Sequence, residues 1–216
     1  MKGLLYKDFQ IIVTGYRKNA LLVLVLYTVM AYAMQLPFLL YALIFLLELY
    51  IVSTLSFDEA SHWDAYVRTL PVPAGAVMGA KYLLGLLLML AGTALTTVLV
   101  LLMPAGSGRP APVEFLFSCA AVFCIALLYS ALSFPLSLRY GAAKARTSVL
   151  AAVLALGCGV YLVYWFASRH GLSLPDLSGL GTCAVAAFLI GLLILSLAAY
   201  GASWIISTRI YLRKEF

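Results

Sequence analysis

Charge is scarce in this chain of 216 residues. Only 10% of them are charged, while 65% are hydrophobic. Soluble domains carry about a quarter charged residues, so this balance excludes an ordinary water-soluble core and suits a bilayer. Nucleotide-binding chemistry is missing as well. No G-x-x-x-x-G-K-S/T phosphate loop occurs, and Gly141-Ala142-Ala143-Lys144 is too short to be one. The chain is therefore expected neither to bind nor to hydrolyse ATP. There is no G-x-S-x-G and no H-E-x-x-H, and of the two histidines His62 lies in an inner segment expected to be helical and His170 in an outer loop, both read as solvated. Serine-hydrolase and zinc-hydrolase chemistry have no residues to stand on. The four cysteines, Cys119, Cys124, Cys158 and Cys183, lie inside apolar runs with no C-x-x-C pair, and read as small apolar filler. No catalytic, cofactor-binding or metal-ligating residues are expected.

What the chain has in abundance is long apolar runs. A spanning helix needs about 20 apolar residues, and six runs approach or exceed that length. They cover 20–36, 37–56, 82–103, 113–138, 148–167 and 182–206. The first two are nearly fused and contain a single carboxylate, Glu48. Together they would extend about 55 Å, close to two crossings of a hydrocarbon core about 30 Å thick. Gln35 and Pro37 mark the turn between them. The nineteen residues before the first run include Asp8 and patterned apolar positions, unlike a cleaved signal peptide. The polar stretches are too short for a separate soluble domain of about 50 residues. The whole of 1–216 is expected to be one transmembrane unit.

Basic residues set the orientation. With the N-terminus inside, segments 1–19, 57–81, 139–147 and 207–216 hold every Lys and Arg of the 14 except Arg109 and Arg169. That bias places both termini in the cytoplasm. Tyr161, Tyr164, Trp165 and Phe166 close the fifth run, and Tyr200 and Trp204 stand near the end of the sixth, as interfacial aromatics do. The net charge of +6 is thus a membrane signature; it is spread over short juxtamembrane pieces rather than one stripe, which argues against nucleic acid.

Two inner segments carry patterned surfaces. In 57–75, Ser56 with Glu59 forms a capping box, Asp58 and Glu59 suit a helix N-terminus, and Asp64 can pair with Arg68. Trp63, Tyr66, Val67 and Leu70 share one face, and Pro71 stops the helix. A helix of about 14 residues is expected between spans two and three, either lying on lipid headgroups or docking another protein. At the N-terminus, Leu5, Phe9, Ile12 and Tyr16 share a face, which predicts an in-plane amphipathic helix over 1–19 leading into the first span.

These residues carry a resemblance. Lys7-Asp8-Phe9, then two spans, then Phe57-Asp58-Glu59 with Trp63, Tyr66, Leu70-Pro71-Val72 and Lys81-Tyr82, resembles the permease subunits of type-two ABC exporters. The branch it looks most like is the small permeases of phenol-soluble-modulin exporters. One departure stands out: related loops commonly place a basic residue after Leu-Pro-Val, and here Pro73, Ala74 and Gly75 follow. The resemblance implies that 57–75 is the coupling helix, with Asp58, Glu59, Trp63, Tyr66, Val67, Leu70 and Pro71 docking a separate ABC ATPase. It implies that ATP and magnesium are bound by that partner, that a second permease chain, identical or related, completes the path, and that amphipathic peptides are the cargo. The setting implied is a prokaryotic plasma membrane.

Inside the spans, Glu48 is singular. A carboxylate near the bilayer centre is costly and faces a bundle interior or a wet cavity, so Glu48 is expected to line a pathway or to tie helices together. Gly85, Gly92, Gly157, Gly159, Gly191 and Gly201, with Ala120, Ala121 and Ala131, predict close helix packing, and Pro135 predicts a kink. The reading is an all-α integral membrane protein with six spans, an N-terminal amphipathic helix and a cytoplasmic coupling helix. It is expected to serve as the transmembrane subunit of an ATP-driven exporter. The alternatives are an ATP-independent membrane adaptor and an ion channel built around Glu48.

Overall fold

In the computed structural model, described for residues 2–67, 69–104, 109–141, 144, 145, 147–149, 151, 166 and 182–213, no strand occurs among the described residues. The helices are α1 (Lys2–Met34), α2 (Phe38–Ala60), the short α3 (Trp63–Val67), α4 (Ala74–Leu101), α5 (Pro112–Tyr140) and α6 (Thr182–Arg213). Five of them, all but α3, are long and apolar enough to cross a membrane. The run expected at 148–167 lies outside the described residues for most of its length, as do Arg68 and its pairing with Asp64.

α1 corrects one expectation. It is one unbroken helix from Lys2 to Met34, with no elbow between an in-plane segment and a span. The reason is local: residues 16–22 contain neither proline nor glycine, so a change from polar to apolar composition does not interrupt the hydrogen-bond ladder. Thirty-three residues make a rod of about 50 Å, longer than the hydrocarbon layer. Its inward face is also shifted. Asp8 and Ile12 are buried and Phe9 is exposed, so the face runs through Leu5, Asp8, Ile12 and Tyr16. The turn falls where the sequence places it: Gln35 takes a positive φ of 56° and Pro37 caps α2.

The cytoplasmic helix is also corrected. α2 continues through Ser56 to Ala60, so Ser56 and Glu59 are helix interior and no capping box forms. Five buried residues, Ile51–Leu55, hold α2 in the core up to this point, and nothing at 56 breaks it. The break comes at Ser61, whose hydroxyl donates back to the Phe57 carbonyl at 2.8 Å, and at His62, with φ 50°. Asp58 and Glu59 therefore stand at a helix C-terminus, the opposite pole from the one the sequence suggested. Only five helical residues remain beyond the break, and Thr69–Pro71 turn the chain toward α4.

α2 is the most buried span and α1 the least. α2 packs against α1, α3, α4 and α5, and α5 pairs with α6. The main core joins Ile51, Met78, Met89, Leu127 and Phe134. A second cluster, Ala31, Leu40, Leu43, Val100 and Met103, sits by the α1–α2 turn. Glycine packing explains the α2–α4 contact: a Cβ at Gly92 would come within 3.0 Å of the Ile44 Cα, and four residues on, the Thr96 hydroxyl reaches the Leu40 carbonyl at 3.0 Å. Gly191 and Gly201 meet nothing within 4 Å among the described residues, so the packing expected there is not made by them. α5 runs on through Pro135. Proline removes the donor for the Ala131 carbonyl, and the Ser203 hydroxyl of α6 supplies one at 2.6 Å. Leu21, Leu22, Val29, Phe188 and Ile194 stand outward, an apolar mantle that matches lipid.

Candidate functional site: the α2–α4 turn and its charge ring

Four charges converge beneath the turn between α2 and α4. Lys7 and Asp8 come from α1, Asp58 from the last turn of α2 and Lys81 from the second turn of α4. Lys7 Nζ donates to Asp58 Oδ1 at 2.7 Å and lies 2.9 Å from Asp8 Oδ1. Lys81 Nζ donates to both Asp8 oxygens at 3.4 Å and to Asp58 Oδ2. Each lysine thus touches both aspartates, and the ring is neutral. Asp8, Asp58 and Lys81 are each 2–3% exposed. Ions this deep require compensation by opposite charge, and the ring provides it. Lys7 sits at the rim, 4.3 Å from the centre of the Trp63 ring.

The residues expected to dock an ATPase separate into two groups. Asp58 and Val67 are buried. Trp63 and Leu70 are half-buried against the core. Val67 also lines a cleft of about 300 Å³ with Val72, Ala74, Val77, Tyr211 and Leu212. The apolar face of α3 is therefore turned into the protein, because a five-residue helix holds its place only by burying that face. Glu59, Tyr66 and Pro71 are exposed, and His62, Ala65 and Thr69 join them on the outer surface. Tyr66 leans on Trp63 with ring centres 5.4 Å apart. Glu59 lies against Gly141, whose φ of 83° and proximity to the Glu59 carboxylate, 2.9 Å from a Cβ built there, admit no side chain.

Glu48 lies mid-way along α2 with no exposed surface. Ser130 of α5 donates to its Oε1, while Oε2 has no hydrogen-bond partner among the described residues. The interior placement agrees with the expectation. The apolar groove of about 300 Å³ between α1 and α2 touches Leu46, Leu47 and Tyr50 and passes Glu48 by. Next to Glu48, Gly85 leaves the gap that Tyr200 enters: a Cβ there would meet the Tyr200 hydroxyl at 2.9 Å and Glu48 Oε2 at 3.7 Å. Tyr200 donates to the Tyr82 carbonyl at 2.7 Å. The Tyr82 phenol lies 2.7 Å from Ser203 and 2.8 Å from Ser207. Ser203 gives its proton to the Ala131 carbonyl, so it accepts from Tyr82, which accepts in turn from Ser207.

Sequence reasoning missed the partners on both sites. Lys7, Asp8 and Lys81 entered it only as topology markers or family signatures. The available signal was Asp8, three residues after Leu5 and four before Ile12, a carboxylate on an apolar face that demands a cation. The hydroxyl seam of Ser130, Ser203, Ser207, Tyr82 and Tyr200 had no local pattern to reveal it.

Comparison with curated proteins and with solved structures gives no match. A family model does match, over residues 3–212, and its description is ABC-2 family transporter protein. The match touches every helix described above, from the second residue of α1 to the last but one of α6. A mantle of apolar helices, with the ring and turn at one end, belongs with that assignment: the chain is a member of the ABC-2 family of transporter membrane proteins.

Proposed function

We propose that this chain is the transmembrane subunit of an ATP-driven exporter, working as a pair with an identical or related chain. The pair associates with two ABC ATPase subunits, which bind ATP and magnesium and carry out hydrolysis. The observation that carries the reading is the α2–α4 turn. It offers an exposed surface of Glu59, His62, Ala65, Tyr66, Thr69 and Pro71 on a base riveted to three helices by buried charges. A rigid base lets a push on the turn move α1, α2 and α4 together. Both termini lie in the cytoplasm of a prokaryotic cell, where the turn meets the ATPases. The resemblance to phenol-soluble-modulin exporters favours amphipathic peptides as cargo.

Tyr66→Asp tests the docking surface. Tyr66 is 57% exposed, so the change leaves the fold alone. Aromatic anchors at contacts carry about 2 kcal/mol or more, and ATPase copurification should fall sharply while membrane insertion stays normal. Full complex yield with Tyr66→Asp and with His62→Glu would refute docking here. The purified chain alone should show no saturable ATP binding; binding lost on changing Lys144 would place a nucleotide site in this subunit.

A further inference from the structure

Among the described residues, Lys7 is the member of the charge ring that lies over a side chain of α3. Its ammonium meets Asp8, Asp58 and the Trp63 ring at once, and Trp63 supports the exposed Tyr66. Lys7 is 22% exposed along its side chain, against 2–3% for the other three members, so it forms the lid of the ring and the seat of the indole. α3 needs such a seat. Five residues cannot fix their own direction, and their link to α2 is a two-residue bend through His62 at φ 50°. Val67 anchors the far end of α3 in the core, which leaves rotation about that anchor to be fixed at Trp63. A lysine suits this place, since a compact ammonium with three donors can serve two carboxylates and still face a π surface.

We infer that Lys7 is the positioning residue of the ATPase-docking surface, clamping Trp63 against the charge ring and so setting the angle at which Tyr66 meets the partner. The inference rests on the docking reading above. It makes the N-terminal helix part of the docking apparatus without requiring it to touch the ATPase.

Removing Lys7 alone leaves the ring with one excess negative charge, so a single variant confounds positioning with folding. Lys7→Met with Asp8→Asn keeps the ring neutral and removes the clamp together with the contacts of α1 to Asp58 and Lys81, which Trp63→Leu leaves in place. In the complex with the ABC ATPase that copurifies with the wild-type chain, this double variant should insert like wild type and keep much of its stability yet bind the ATPase about tenfold more weakly, the ratio that 1.4 kcal/mol brings. Lys7→Arg, which keeps the charge and stacks on indole, should restore most of that affinity. Trp63→Leu leaves the ring whole and should weaken binding as the double variant does. Wild-type affinity in either the double variant or Trp63→Leu overturns the inference. A readout free of the ATPase separates it from the docking reading. With Trp165→Phe and Trp204→Phe, Trp63 is the sole tryptophan, and its quenching by acrylamide should rise in the double variant. Unchanged quenching refutes the clamp even where docking holds, and raised quenching with no ATPase bound by wild type refutes docking while leaving the clamp.

Discussion

Two buried carboxylates stand about 15 Å apart along α2, and they are held by opposite means. Asp58 is enclosed by two ammonium groups that also serve Asp8, so charge is answered by charge. Glu48 is met by one serine hydroxyl and a tyrosine-lined gap, with no cation in hydrogen-bond reach and one oxygen unpartnered among the described residues. The first site lies near the helix ends, where three elements must be tied. The second lies mid-span, where neighbours are serines, tyrosines and glycine. The difference teaches what each site tolerates. In the ring the net charge is the constraint, and no isostere substitutes for an ion. At Glu48 the constraint is shape and a single hydrogen bond, and an amide can satisfy both.

The largest effect should come from unbalancing the ring. Asp58→Asn or Lys81→Met leaves an uncompensated buried charge, and losing one partner of such a set costs about 3–5 kcal/mol. Denaturant unfolding in detergent should show that loss, and insertion yield should fall with it. The double variant Asp58→Asn with Lys81→Met leaves Lys7 facing Asp8 and should recover much of the stability. If the double variant is no more stable than the singles, charge balance is not what holds the ring, and the contrast with Glu48 collapses. A smaller effect is expected at Gly85, on the Glu48 side of the comparison. Gly85→Ala puts a methyl 2.9 Å from the Tyr200 hydroxyl and 3.7 Å from Glu48 Oε2. Overpacking of this kind costs about 1–3 kcal/mol, whereas Gly201→Ala meets nothing among the described residues and should leave unfolding unchanged. Equal effects at the two positions would show that shape does not govern the Glu48 site.

The same contrast explains what was legible in the sequence. Apolar runs, the Gln35–Pro37 turn, the interior place of Glu48 and close packing at Gly92 all follow from local composition, because a bilayer forces backbone groups into helices and makes small residues contact points. The helix boundaries were less legible. Nothing in 16–22 marks a break, so α1 ran on, and the strong local signal of Ser56 with Glu59 lost to the burial of Ile51–Leu55 just before it. The pairings of the ring were not legible, although Asp8 on an apolar face signalled that a cation must meet it. The ring's members are separated by 51 and 73 positions, and a charge count records each without saying which it meets. The docking residues divided for the same reason: Asp58 and Val67 share a segment with Tyr66 and Glu59, but only the packing of α1 and α4 decides which of them faces inward.

The smallest expected effect is the most informative about Glu48. Glu48→Gln preserves the size of the side chain, keeps an oxygen for the Ser130 hydroxyl and adds an amide that can donate into the space beside Tyr200. Unfolding should change by less than about 1 kcal/mol, the scale of a single neutral hydrogen bond. Glu48→Leu removes the acceptor, yet Ser130 keeps the Ala126 carbonyl at 2.9 Å, so its loss should remain well below that of Asp58→Asn. Export by the assembled transporter then separates the two roles. A helix tie predicts normal transport in the Gln variant once assembly is normal, because packing and hydrogen bonding are kept. A pathway carboxylate predicts the reverse: wild-type stability with altered transport or altered cargo stimulation of ATP hydrolysis, since only the charge is gone. The enclosure of Glu48 by Ser130, Gly85 and Tyr200 within one chain favours the tie. A Gln variant as unstable as Asp58→Asn would show instead that a full charge resides at mid-span and that both sites obey one rule.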